Sequence, residues 1–248
     1  MANPNNIRGH QARLDFFKRT LPPDKVGSAY VGGAREKVTP AHIGFLEEEA
    51  LRRHRALENA CVIDLGCGIG RLTSYLLNAG ISRYLGTDIL PEILNQARNL
   101  AAGRPEFRFE IVMDCTIPER DNEADIVCAF SLITHLLDEE TFLYFRESAR
   151  VLKPGGLAVF SFLDFAHSFH QKRWGEYVEG YKAQRDLLKF FEKDTLRRFG
   201  EMVGLKTIEV IEAGEPFQIS GERSILADGT PAPRSVTSGQ SLLFMTKG

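Results

Sequence analysis

The chain is short of several things at once. It has one tryptophan, four cysteines and a formal net charge of only −2 over 248 residues. No run approaches the roughly 18 apolar residues of a membrane span, so no membrane partner is expected. The near-neutral balance argues against a nucleic-acid partner, whose phosphates call for a basic face. Cys61, Cys67, Cys115 and Cys128 make no CxxC pair, which speaks against a zinc site or a disulfide frame and fits reduced thiols in the cytosol. The opening "MANPNNIRGHQARLDFF" is polar and lacks the apolar centre of a secretory leader, so a cytoplasmic protein is expected. There is no internal repeat and no low-complexity tract.

What remains is ordinary for a soluble globular chain: 43% hydrophobic and 26% charged residues. The length suits one large domain over residues 1–248. From residue 41 onward, short β-rich runs alternate with helical periodicity. "NACVIDL", "RYLGTD", "EFRFEIVMD", "ADIVCAFS", "LAVFSFL", "LKTIEVIEA" and "GQSLLFMTK" read as seven strands. Between them, "RLTSYLLNAG" ends at a capping glycine, and "PEILNQARNLAAG" starts with proline and ends with glycine. "DEETFLYFRESARVL" follows as a helix with Asp138 expected as N-cap; "KPGG" is expected to end it, ahead of the fifth strand "LAVFSFL". Such alternation predicts an α/β fold with a largely parallel sheet and helices on both faces. Three segments stand outside it: 1–40, expected as a lid over the ligand, and 164–185 and 214–238, expected to cover the crevice at the strand ends.

The chemistry starts at "VIDLGCGIGR", residues 62–71, with the spacing Asp64-x-Gly66-x-Gly68-x-Gly70. Glycines let the backbone approach a ligand and take positive φ. A dinucleotide fingerprint would space them G-x-G-x-x-G. Here the third glycine comes one residue early, and a carboxylate precedes the first. That charge disfavours a pyrophosphate and favours a ligand carrying positive charge.

Three more features follow in order: "YLGTDI", with Asp88 24 positions after Asp64; "VMDCTIP", with Asp114; and "ARVLKPGGLAVFSF". Over about residues 60–160 the sequence thus resembles the class I, Rossmann-like S-adenosylmethionine-dependent methyltransferases. The resemblance implies a seven-stranded sheet in the order 3-2-1-4-5-7-6 with strand seven antiparallel. It implies S-adenosyl-L-methionine as cofactor, with S-adenosyl-L-homocysteine as product. Gly66, Cys67, Gly68 and Gly70 would contact the methionine part and Asp64 would sit near its amino group. Asp88, with Ile89 beside it, would take both ribose hydroxyls; Asp114 and the Cys115 backbone would meet the adenine. Phe130 and Ser131 would line the methyl-transfer side. Tyr30 and Arg35, ahead of strand one, would touch the cofactor carboxylate. Plainer roles stay open: Asp88 as a helix cap before Pro91, Asp114 as a turn acid before Pro118, Cys67 as small filler, and 30–35 as an ordinary loop.

For the acceptor, His135 in "SLITHLLD" lies just past strand four, where a histidine can take a proton near neutral pH. It could equally be a loop residue that shapes the pocket. In the 164–185 insertion, His167, His170, Trp174 and Tyr177 are candidates for contacting substrate, against packing back onto the core. His167 and His170 form an H-x-x-H pair near Asp164, but no second acidic cluster accompanies them and no metal is expected. The sequence therefore points to methyl transfer onto a small-molecule acceptor, with O-methylation of a sugar or secondary metabolite placed first. N-methylation of an amine or peptide, and a non-catalytic cofactor-binding partner subunit, are the alternatives.

Overall fold

In the computed structural model, residues 4–30, 39–180, 187–219 and 225–248 are described. The sheet is built outward from β1 (Cys61–Leu65), whose five residues are all buried. Parallel β2 (Arg83–Asp88) and β3 (Phe107–Ile111) lie on one side of it. Parallel β4 (Ala124–Ala129) and β5 (Leu152–Phe162) lie on the other. Beyond β5 come β6 (Leu205–Ile211) at the edge and the last strand, here called β9 (Ser241–Lys247), between them. The order is β3-β2-β1-β4-β5-β9-β6, with β9 antiparallel to both neighbours. Counting only these seven, this is the expected 3-2-1-4-5-7-6.

Strand alternation divides the core in two. Val62, Ile126, Val159 and Phe244 face one layer, packed under α3 (Pro40–Arg52), α4 (Arg71–Leu76) and α5 (Pro91–Leu100) through Phe45, Leu72 and Leu94. Ile63, Val127, Phe160 and Leu243 face the other, under α6 (Asp138–Val151) and α8 (Lys193–Met202), where Phe145 stacks on Phe160 at 4.1 Å.

Two local expectations are corrected. The N-cap of α6 is Leu137, whose N–H is taken by Glu140 Oε2 at 2.8 Å; Asp138 is the first helical residue. α6 ends at Val151, just ahead of "KPGG" as expected, but β5 already begins at Leu152 instead of Leu157, so "KPGG" lies within the strand. The register passes from Ala124↔Leu152 to Ile126↔Leu157, so residues 153–156 bulge out of the strand. Lys153 then returns its ammonium to Asp125 Oδ2 at 2.8 Å, and Arg55 holds the other oxygen.

The three outlying segments carry α1 (Pro4–Thr20) and α2 (Pro23–Tyr30); α7 (Ser168–Glu179); and the paired strands β7 (Pro216–Gln218) and β8 (Ser235–Thr237). Among the described residues, no helix is long and apolar enough to cross a membrane.

Candidate active site

Sheet order reverses between β1 and β4, and a crevice opens there at the strands' carboxyl ends. The cavity in it measures about 1700 Å³, beyond the ~300–1,000 Å³ of a typical single-ligand pocket. Its walls come from the glycine loop, the ends of β2, β4 and β5, and all three outlying segments.

The loop after β1 turns on positive φ at Gly66 (69°), Gly68 (57°) and Gly70 (86°). A Cβ on Gly66 would reach within 3.1 Å of Leu132, and one on Gly70 would lie 3.0 Å from Ala97 in α5. Gly70 therefore seats helix on helix and caps α4; it is not on the cavity wall, unlike Gly66, Cys67 and Gly68. The Cys67 N–H is held by the Thr87 carbonyl at 2.9 Å. Burial pushes the Cys67 thiol well up, which leaves it inert.

At the end of β2, Asp88 accepts the Leu90 N–H at 3.0 Å and the Gly68 N–H at 3.2 Å, and its carboxylate lines the cavity beside Ile89. Burial raises its carboxyl, and these N–H groups partly offset that. Asp64 is elsewhere. It is buried beneath the loop, off the cavity wall, and accepts the Tyr84 hydroxyl proton at 2.8 Å. Its side chain lies beneath the loop, bonded to Tyr84. The acid that reaches the wall is Glu47 of α3, paired with Arg71 at 2.8 Å.

Asp114 also leaves the site. It is exposed, and its carboxylate accepts the Thr116 hydroxyl at 2.6 Å and the Thr116 N–H at 3.3 Å, which holds its carboxyl below the usual range. It is the turn acid of the plainer reading. On that segment the wall is made by Val112 and Cys115, the latter at φ 57° with its thiol pushed up to about 11 by burial.

Phe130 and Ser131 line the cavity past β4. Ser131 sits at φ 61°, a strained conformation for a non-glycine residue. His135 closes a 3₁₀ turn (Ile133–His135) on the same wall. Its Nδ1 lies 2.7 Å from the Leu187 carbonyl oxygen, and its ring meets that of His10 edge-on at 5.1 Å. Tyr30 lines the cavity, with its hydroxyl 2.9 Å from His10 Nδ1. Arg35 lies outside the described residues.

In the insertion the candidates divide. His167 and Tyr177 line the cavity; His167 Nδ1 is buried without a hydrogen-bond partner. His170 is fully buried and off the wall, between the Asp164 N–H at Nδ1 (2.9 Å) and the Gly239 carbonyl at Nε2 (3.0 Å). Trp174 also misses the wall, with its ring edge-on to Phe165 and Phe190. Among the described residues, no three His, Cys, Asp or Glu side chains gather in a way that could hold a metal.

Several wall residues lay outside the sequence reading: Glu47, Arg71, His10, Ser161 and Gln240. Arg71 directly follows the glycine turn, and that position was the one available signal. The others come from distant segments and carry no local pattern.

The methyltransferase-domain family matches residues 63–160, the stretch that builds the glycine loop, Asp88 and the β4 wall. A ubiquinone biosynthesis O-methyltransferase of Hydrogenovibrio crunogenus is 27% identical over 66% of this chain; the match spans 62% of that protein's length. One of the same name from Coxiella burnetii is 24% identical over 70% of this chain and 73% of its own. In fold, the chain is similar to the magnesium protoporphyrin IX methyltransferase of Synechocystis PCC 6803, crystallised with S-adenosylhomocysteine. The TM-score there is 0.64 at 18% identity, covering 96% of this chain and 99% of that one. With four motifs in order and this match over residues 63–160, a methyltransferase domain spans the cavity-building residues, within the seven-stranded sheet order of the class I, Rossmann-like fold.

Proposed function

We propose that this chain transfers the methyl group of S-adenosylmethionine to an oxygen of a small-molecule acceptor. The cofactor fits the residues present. Gly66 and Gly68 line the cavity with backbone alone, both at positive φ, and Asp88 keeps acceptor capacity beyond its two backbone bonds. When bound, the cofactor supplies an electrophilic methyl on a sulfonium. The protein's own work is to align a nucleophile with it and keep water out. Glu47, paired with Arg71, and the loop carbonyls would face the amino-acid end; Phe130 and Ser131 would face the reacting end.

One observation carries the choice of oxygen. His135 Nδ1 lies 2.7 Å from a carbonyl oxygen, so a neutral ring keeps its proton there. A ring protonated at Nδ1 carries its basic nitrogen at Nε2, on a residue that lines the cavity. That is the tautomer needed to accept the proton of an attacking hydroxyl. His135 past β4 and His167, Lys172, Arg173 and Glu176 of the α7 segment line the same cavity. The O-methyltransferase names of the curated relatives support the same class of atom.

The test combines titration calorimetry with S-adenosylhomocysteine and a methyl-transfer panel of catechol, methyl glucoside, benzylamine and a lysine-containing peptide, analysed by mass spectrometry. Cofactor binding with an O-methyl product is expected. Products methylated only on nitrogen would overturn the choice of oxygen. Cofactor binding with no product across a broad acceptor panel would favour a non-catalytic subunit.

A further inference from the structure

Three residues from three strand ends meet in a closed ring of hydrogen bonds on the cavity wall. The Ser131 N–H donates to Ser161 Oγ at 2.6 Å. The Ser161 hydroxyl donates to Gln240 Oε1 at 2.7 Å. Gln240 Nε2 donates to Ser131 Oγ at 3.0 Å. In this ring Gln240 Oε1 receives the Ser161 hydroxyl proton and Nε2 faces the Ser131 hydroxyl oxygen. The ring also leaves two protons over: the second amide proton of Gln240 and the hydroxyl proton of Ser131. Both belong to residues on the wall, at the β4 end to which the proposed function assigns methyl transfer.

Two observations show that this ring is held in place. Ser131 keeps its left-handed φ of 61°, a conformation that persists in a non-glycine residue only when its surroundings impose it. On the other side, fully buried His170 anchors the peptide ahead of Gln240. Its Nδ1 accepts the Asp164 N–H and its Nε2–H donates to the Gly239 carbonyl, a pair of contacts that the Nε2-protonated ring satisfies together. The Gln240 N–H is further held by Ser238 Oγ at 3.0 Å. His170 is therefore a positioning residue for Gln240.

We infer that Gln240, with Ser131, is an acceptor-positioning site that donates hydrogen bonds to a second oxygen of the substrate, next to the hydroxyl that is methylated. This rests on the proposed oxygen chemistry and narrows it to acceptors with neighbouring oxygens, such as catechols or vicinal diols. An ammonium beside the reacting atom would find donors facing it and would be disfavoured. So would a bare ring carbon, which would leave the two protons without acceptors.

The test compares catechol, 2-aminophenol and phenol as acceptors, with the wild type, Gln240→Ala and Gln240→Asn. S-adenosylhomocysteine affinity and thermal midpoint are measured on each protein. The wild type is expected to prefer catechol to phenol by about tenfold in kcat/KM, mainly through KM, as one or two neutral hydrogen bonds would give. Gln240→Ala should lose that preference at unchanged cofactor affinity, and Gln240→Asn should recover part of it. A preference that survives in Gln240→Ala, or equal use of catechol and phenol by the wild type, would overturn the inference while O-methylation stands. Methylation of none of the three by a protein that binds cofactor would overturn the inference together with the reading beneath it.

Discussion

Beneath the glycine loop, the Tyr84 hydroxyl donates to Asp64 Oδ2 at 2.8 Å, and both side chains are buried. Thr73 Oγ1, from α4, lies 2.8 Å from the same hydroxyl. Two strands and a helix, β1, β2 and α4, are tied together through one phenol, and the acid at the end of that chain stands in a poor environment for charge. Burial, then the nearby Glu47 carboxylate, push the Asp64 carboxyl up to about 7.

This gives a pH dependence with a definite sign. In the unfolded chain Asp64 ionises in the ordinary carboxylate range. Its contribution to stability is complete below that range and is lost as pH rises through about 7. Urea midpoints of the cofactor-free protein should therefore fall between pH 5 and pH 8. Asp64→Asn, which keeps an oxygen for Tyr84, should shrink that fall by roughly 2–4 kcal/mol. Equal falls in both proteins would assign the titration to another group.

The sheet was readable because buried parallel strands write themselves as apolar runs between glycine turns, as "VIDLGCG" and "ADIVCAFS" do. Asp88 was readable for a related reason: its strand ends on the cavity, and its distance from the glycine loop is set by one helix and one strand. Asp64 and Asp114, expected toward the cofactor, lie off the cavity wall. Sequence spacing locates a residue along a strand, but not whether its carboxylate points to a ligand, to Tyr84 or to Thr116. Gln240 was out of reach altogether. It gains its meaning from Ser131 and Ser161, which lie 109 and 79 positions away.

Glu47 and Arg71 form an ion pair with side chains only 4% and 10% exposed, between α3 and the start of α4. Burial raises the Glu47 carboxyl, and the Arg71 charge partly offsets it. Arg71→Met would strand a buried acid and should lower stability by about 3–5 kcal/mol. Adding Glu47→Gln should return a large part of that loss, since the uncompensated charge is then gone. Denaturant titration of both single variants and the double variant measures the coupling. Strict additivity would mean that the pair does not act as a unit.

Asp88 should govern cofactor affinity and little else. Its removal takes away the acceptors of the Gly68 and Leu90 N–H groups as well as the carboxylate offered to the ribose. Asp88→Ala is expected to weaken S-adenosylhomocysteine binding by about 1–3 kcal/mol, while Asp88→Asn, which can still accept, should lose less. Titration calorimetry reads both. Unchanged affinity in the alanine variant would remove Asp88 from the cofactor site.

His135 can be tested as a base by varying how much the acceptor needs one. Catechol must give up a proton as its oxygen attacks, whereas 4-nitrocatechol is largely ionised at neutral pH and needs little help. Loss of a general base typically costs 10²–10⁴-fold, so His135→Ala should lower kcat on catechol by about that factor at pH 7. On 4-nitrocatechol the loss should stay below about tenfold, the part left to positioning. Cofactor affinity should hold, since the ring packs against the Leu187 carbonyl and His10. If both acceptors lose rate equally, His135 acts by shaping the pocket between the 3₁₀ turn and α1, and the proton leaves by another route. If only catechol suffers, Nε2 is where it goes.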